Sequence, residues 1–386
     1  MKTKVRPRLV NFSARLLGNS VYSPVQGDCF LLPWIHRGAG NAMVHMRWDR
    51  HGSPVIETRH PKRGLSDLVA FKHLGYHNHI VTYVAEIKDA FVTGSSVGVV
   101  TSDRVLLTDL SLEFGEPEIV HGAKRRVFFP KPKILQGRWA LLATTGGNSY
   151  YHHLVEVLPR VGLLEEAGIY LKDMNGVLLN GFDKAFQKES WELLGLDSSK
   201  MRFTSRGAYY HCKQLVAPSP IDTPGTLPPS GAAFLKRMFG IAKTVSSPEQ
   251  LVYVSREYEN SRKILNEEDL WLVLKRHGFQ KIHCEKMKIK KQARLFSKAR
   301  MVVGPHGGGF ANMVFAPKNA LLVEFFNPRY VNPCFWRIAC AVGARHAYFL
   351  GEPDSKKSRL ADATGHIFLS EATLRELDDF LTHELA

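Results

Sequence analysis

The chain has 386 residues, 44 % of them hydrophobic, which is enough for two domains of ordinary size, and it contains no apolar run long enough for a transmembrane helix. Lysine and arginine total 52 against 36 acidic residues, a formal net charge of +16; this balance points to anionic company (nucleic acid, an anionic membrane face or phosphorylated small molecules), with a plain solvated basic surface as the alternative. Five cysteines, odd in number and without CxxC spacing, argue against a disulfide frame or a zinc site and for free thiols in a reducing compartment.

Met1 to Ser20 carries five basic residues but no apolar core of a secretory signal. Up to Phe128 the chain reads as irregular and strand-rich, with hairpins expected around Ala90–Thr93 and Val97–Leu107 and turns at Gly94 and Ser102-Asp103. From Arg138 the texture changes. Trp139–Ala143 is a short apolar strand, Thr144–Asn148 a glycine-rich turn, and Tyr150–Ala167 has helical periodicity. Gly176–Leu179 then reads as a strand and Lys184–Leu194 as a helix, an alternation that implies a parallel α/β sheet.

Ala217–Gly231 packs five prolines and two glycines into fifteen residues and is expected to be an interdomain linker, neither helix nor central strand. Beyond it come strand Leu251–Ser255, helix Glu267–Arg276, strand Gln280–His283, helix Lys290–Lys298 and strand Met301–Val303. A short helix follows, then strand Ala320–Phe325. The domain organisation read from this is a strand-rich N-terminal part (1–128), a Rossmann-like domain (129–216), a linker (217–231) and a second Rossmann-like domain (232–386). The fold class is α/β, with two such domains facing a cleft.

The densest chemistry lies in Arg300–Phe315. An apolar strand runs into His306-Gly307-Gly308-Gly309, and a short apolar helix carrying Asn312 follows. Glycines with φ > 0 would let backbone N–H groups approach an anion, the helix start would add positive potential, and His306 would add a side-chain donor. A purely structural turn is the bland alternative. Upstream, Arg256 and Arg262 lie in the loop after the domain's first strand, suited to fork onto phosphate oxygens or, more plainly, to pair with neighbouring acids. Asn266 is expected as an N-cap, with Glu267 in the first helical turn, and Glu324 at a strand end could accept ribose hydroxyls.

In the first half, His152 and Glu156 are four apart and share a helix face beside the Thr144–Asn148 turn. Either could take a proton from an attacking hydroxyl, and a surface ion pair is the alternative. The adjacent His153 points elsewhere, and no partner spacing supports a metal site. DxD, GxGxxG and GxSxG motifs are absent, and the basic run Lys286–Lys298 lacks the interleaved aromatics of a single-strand binder, so nucleic acid is not an expected partner.

Three blocks resemble glycosyltransferase family 61: Ser149-Tyr-Tyr-His152-His153-Leu-Val-Glu156 with Leu158-Pro-Arg160; Val254-Ser-Arg256 through Arg262 to Asn266-Glu267; and Gly304-Pro-His306 to Asn312 with Glu324. His153 stands where the family usually has tryptophan, and Glu156 where aspartate is common. The resemblance implies a GT-B-type architecture and inverting, metal-independent sugar transfer (hexosyl, pentosyl or N-acetylhexosaminyl). The donor would be a nucleotide-sugar, a UDP-sugar foremost, with no cofactor and no divalent metal. His152 or Glu156 would be the base. Arg256, Arg262, Asn266, Glu267, His306, Gly307, Gly308, Gly309, Asn312 and Glu324 would bind the donor, and Tyr151, His153 and Arg160 the acceptor. A glycan or lipid-linked glycan is the implied acceptor, in cytoplasmic synthesis of a capsule or cell-surface polysaccharide at the inner membrane face. A non-catalytic nucleotide- or glycan-binding protein of the same fold is the alternative.

Overall fold

The structure is a computed structural model that describes residues 27–29, 42–50, 58–60, 64–65, 80–112, 121–125, 129–222, 225–241, 248–353 and 365–386. The basic start, Met1 to Ser20, lies outside the described residues. The chain divides into two compact units, Met1–Arg50 with Ile80–Pro224 and His51–His79 with Gly225–Ala386. The second unit thus takes a piece of the N-terminal part expected to belong wholly to the first. Residues 58–60 pair in parallel with the strand at 345–350, a partnership set by a tertiary edge and invisible to local pattern.

The first unit is built on a nine-stranded sheet. Its strands are β1 (Gly27–Cys29), β2 (Ala42–Arg50), β3 (Ile80–Thr93), β4 (Gly98–Val100), β5 (Val105–Leu107), β6 (Lys133–Leu141), β7 (Gly176–Leu179), β8 (Met201–Phe203) and β9 (Tyr209–Pro218). The order is β1-β5-β4-β3-β9-β6-β7-β8, with β2 also against β3. The expected hairpins are present as β3-β4-β5, the first turning at Gly94 with φ +75°. The half formed by β9, β6, β7 and β8 is parallel, as the strand–helix alternation requires.

The Tyr150–Ala167 helix is not continuous. An α-helical turn at Tyr150–His152 widens into a π-helical turn at His153–Val157, and α1 (Pro159–Glu166) restarts beyond it. Pro159 has no N–H to donate back, and the ladder is carried across by Leu158 N–H bonding His153 C=O at 3.0 Å. Helix α2 (Ala185–Leu193) follows β7.

The linker is shorter than expected. Ala217 and Pro218 close β9, which lies between β3 and β6, and Pro229 opens helix α3 (Pro229–Met238). Proline is tolerated there because the first-turn N–H of a helix has no partner in any case.

The second unit carries β10 (Gln250–Val254), α4 (Glu267–Arg276), β11 (Gln280–Ile282), α5 (Ile289–Phe296), β12 (Ala299–Pro305), β13 (Leu321–Phe326), α6 (Cys334–Val342), β14 (Arg345–Leu350) and α7 (Glu371–Leu385). Strands β11-β10-β12-β13-β14 are all parallel. Their order is that of a doubly wound sheet, whose direction of winding reverses between β10 and β12, and ligands of such sheets bind at the strand ends beside that reversal. All six residues of β13 are buried, as expected of a strand covered on both faces. Leu321, Val323 and Phe325 pack with Leu270, Leu274, Leu377 and Leu381 of α4 and α7. The other face therefore presents Leu322, Glu324 and Phe326.

Candidate active site

In the second unit β10 and β12 end side by side, and the loops leaving them carry Arg256, Arg262 and the His306–Gly309 turn. Arg256 donates from Nε to the Ser261 carbonyl at 3.1 Å and from Nη2 to Ser261 Oγ at 3.4 Å, while Glu259 stands 3.7 Å away. Burial and then the like charge of Arg262 hold the Arg256 guanidinium below its ordinary pKa. Two cations are thus held close together at a strand end. Arg262 has φ +55°, a left-handed conformation that costs a non-glycine residue on the order of 1 kcal/mol. Its guanidinium lies 5.8 Å from the Tyr330 ring centre, and its buried Nε has no hydrogen-bond partner.

The glycine turn works differently from the sequence expectation. None of Gly307, Gly308 and Gly309 has positive φ, and Gly307 is extended at φ −178°. Glycine is needed at 307 because a Cβ there would run into Nη1, Cζ and Cδ of Arg256; at 309 a Cβ would lie 3.1 Å from Val254 Cγ1 and 3.2 Å from Cys284 Sγ. At 308 there is open space. The helix that follows, Gly308–Phe315, is a 3₁₀-helix. His306 N–H bonds Phe325 C=O and Phe310 N–H bonds Gly307 C=O, whereas among the described residues the N–H groups of Gly307, Gly308 and Gly309 donate to no backbone carbonyl. Two guanidiniums and such amides at a strand end are the kinds of group that can receive an anion.

Four residues expected on the donor are engaged elsewhere. Asn266 precedes α4 without capping it through its side chain. Its amide instead donates to Leu369 C=O at 2.8 Å and accepts from Leu369 N–H at 3.1 Å, tying the start of α4 to the connection before α7. Glu267 accepts from the Tyr253 hydroxyl at 2.9 Å and lies 3.6 Å from Lys281 Nζ. Asn312 is fully buried and donates to Gln292 Oε1 at 2.7 Å and Gly309 C=O at 2.9 Å, so it shapes the turn from within. Glu324, also fully buried, is bonded to His306 Nδ1 at 2.7 Å and His346 Nε2 at 2.9 Å, which leaves a ribose no access to it.

In the first unit the chemistry gathers after the C-terminal end of β6. Ser149 caps the turn, accepting from His152 N–H at 3.4 Å. His152 Nδ1 is 2.9 Å from Glu156 Oε1, as the four-residue spacing requires. His153 points inward and is buried between Phe186 and Trp191; burial pushes its pKa down to about 3, and its Nε2 has no partner. Arg160 is also interior, donating to Ala143 C=O at 3.2 Å and Thr144 Oγ1 at 3.4 Å. Burial lowers its pKa to about 10 while the charge of Glu156 opposes that shift. His153 and Arg160 are therefore parts of the scaffold and not acceptor contacts. Tyr151, half-buried beside His152, keeps its place as an acceptor candidate.

Sequence reasoning missed Asn180, which grips both the N–H and the C=O of Thr144 at 3.0 and 2.6 Å and fills the space a Cβ on Gly147 would need. It also missed His346. A histidine inside an apolar strand was a legible signal, because a buried polar group calls for a partner.

Among the described residues no group of three or more His, Cys, Asp or Glu could hold a metal ion, and Cys212, Cys284, Cys334 and Cys340 are free. No described helix is long and apolar enough to cross a membrane. Residues 150–323, from the His152 turn to β13, match the family model described as Glycosyltransferase 61. That stretch is somewhat less than half of the chain, and over it the chain is similar to glycosyltransferase family 61. No curated protein matches the chain.

Proposed function

We propose that the chain is an inverting, metal-independent glycosyltransferase of GT-B type. It moves a sugar from a nucleotide-sugar, a UDP-sugar foremost, to a hydroxyl of a glycan or lipid-linked glycan in capsule or cell-surface polysaccharide synthesis. The observation that carries this reading is the pair of crowded guanidiniums, Arg256 and Arg262, beside three glycine amides that donate to no backbone carbonyl among the described residues, at the winding reversal of the sheet. When the glycosidic carbon–oxygen bond of the donor breaks, its electron pair passes to the leaving diphosphate. Fixed cations and amide dipoles stabilise that growing charge without reorganising.

The new bond forms between the acceptor oxygen and the sugar carbon, and the acceptor proton must go to a base. His152 takes this role. Its Nδ1–H is held by Glu156, so Nε2 is the proton acceptor, and the Glu156 charge also acts on buried Arg160. The exposed cations Lys288, Lys290, Lys291, Arg294 and Lys298 on and around α5 support peripheral contact with an anionic inner membrane face.

Incubation with a panel of UDP-, GDP-, CMP- and dTDP-sugars in EDTA tests the reading. Release of nucleotide from one donor, lost in Arg256→Ala, is the expected result. Absence of both turnover and calorimetric binding across the panel would overturn it.

A further inference from the structure

Three titratable side chains are buried in a row on the β13 face opposite α4 and α7, and the transfer reaction as described uses none of their contacts with one another. His306 leaves the end of β12, Glu324 lies in β13 and His346 in β14, where strand register sets His346 opposite Leu322, two residues along from Glu324 on the same face. Glu324 Oε1 is 2.7 Å from His306 Nδ1 and Oε2 is 2.9 Å from His346 Nε2. Glu324 has no exposure at all, and His346 is 3 % exposed. With its proton on Nδ1, His306 donates to Oε1 and turns Nε2 away from Glu324.

We propose that Glu324 and His346 are positioning residues that prepare His306 to take up a proton when a diphosphate binds beside Arg256, Arg262 and the glycine turn, so that donor binding and proton binding are coupled. The inference rests on the transferase reading in taking the anion to be the diphosphate of a nucleotide-sugar. The coupled step is a proton transfer: one proton passes from solvent to His306 Nε2, the ring becomes an imidazolium, and its new N–H donates to a diphosphate oxygen. As the leaving group gains charge, that donor strengthens. The proton returns to solvent when the nucleotide departs.

The charged and titratable groups acting on His306 come from several neighbouring elements: Arg256 and Arg262 from the loop after β10, Glu324 from β13, His346 from β14 and Tyr330 from the loop after β13, with the Cys334 thiol of α6 acting on Glu324. Burial first, then Arg262, Arg256 and His346, hold the empty-site imidazole well below its ordinary range, so it is neutral near pH 7. Burial holds Glu324 well above the ordinary carboxylate range against the pull of Arg262, and burial takes His346 to about 3. An arriving polyanion offsets the two guanidiniums, whose charges act beside burial in keeping His306 neutral. Donor affinity therefore falls as pH rises through the His306 pKa of the complex, by up to about tenfold per pH unit.

Calorimetry of the full chain with UDP-glucose, UDP-N-acetylglucosamine, GDP-mannose and dTDP-glucose, none of which has a phosphate that titrates near neutrality, tests this directly. Titrations in PIPES and in Tris are compared. Heats that differ in the sense of proton uptake, in wild type but not in His306→Gln, are the expected result. Binding with equal heats in the two buffers overturns the coupling and leaves the transferase reading standing, whereas no binding by any donor overturns both. His346→Gln, which keeps an N–H for Glu324, should retain the uptake. His346→Phe, with its fold checked by circular dichroism, should move the pH at which affinity falls, and a profile superimposable on wild type overturns the part given to His346.

Discussion

The guanidinium of Arg256 occupies the space in which a side chain on residue 307 would begin. That relationship separates the three glycines of the turn. Gly307→Ala should displace Arg256 and weaken nucleotide binding about tenfold or more, since a charged hydrogen bond contributes about 1.5–3 kcal/mol. Gly308→Ala, facing open space, should leave stability within about 0.5 kcal/mol of wild type. Calorimetric titration with nucleotide and urea unfolding of the two variants check the contrast, and equal loss of affinity and stability in both would refute it.

Arg256→Lys is expected to bind the donor nearly as poorly as Arg256→Ala. Nε and Nη2 of Arg256 are fixed on Ser261, and a lysine ammonium cannot reproduce that planar anchoring. Wild-type affinity in the lysine variant would show that charge alone matters.

His152 and Glu156 should separate by stability. His152→Ala should lower kcat by about 10²–10⁴-fold with donor affinity retained. Glu156→Gln should lower kcat too, and it should also lower stability, because the Glu156 charge acts on buried Arg160. Denaturant midpoints beside kcat values decide the matter, and an unchanged midpoint in Glu156→Gln would count against the assigned pairing.

His153 gives a pH signature. The unfolded chain protonates this residue near pH 6.5, whereas the folded chain does not until about pH 3. Its contribution to stability is therefore complete above about pH 6.5 and is lost as pH falls through that window, at up to about 1.4 kcal/mol per pH unit. His153→Phe should flatten that fall and, by removing the unpartnered Nε2, add about 1 kcal/mol at neutral pH. Urea midpoints measured across the range check it, and an identical slope in the variant would sink the assignment.

The cations around α5 predict that the chain floats with anionic vesicles at low salt and detaches as salt is raised. Retention on neutral vesicles to the same extent would remove the electrostatic basis of that contact.

Much of the second unit was legible because its signals are local. The alternation from Leu251 to Phe325 yields parallel strands, the loop after the first strand brings two arginines to the sheet end, and the i,i+4 rule alone puts His152 on Glu156. The sequence by itself determined these features because each is decided within a few residues. Only the tertiary structure decided where the polar side chains spend their hydrogen bonds. Asn266 is a plausible cap until Leu369, 103 residues away, arrives beside it. Arg160 looks outward-facing until the π-helical turn before Pro159 directs it to Ala143 and Thr144. Glu324 reads as a ribose ligand until the register of β13 with β14 brings His346 to it. In each case a buried polar group must find a partner, and the partner is supplied by chain that is distant in sequence or turned in a way no local pattern encodes.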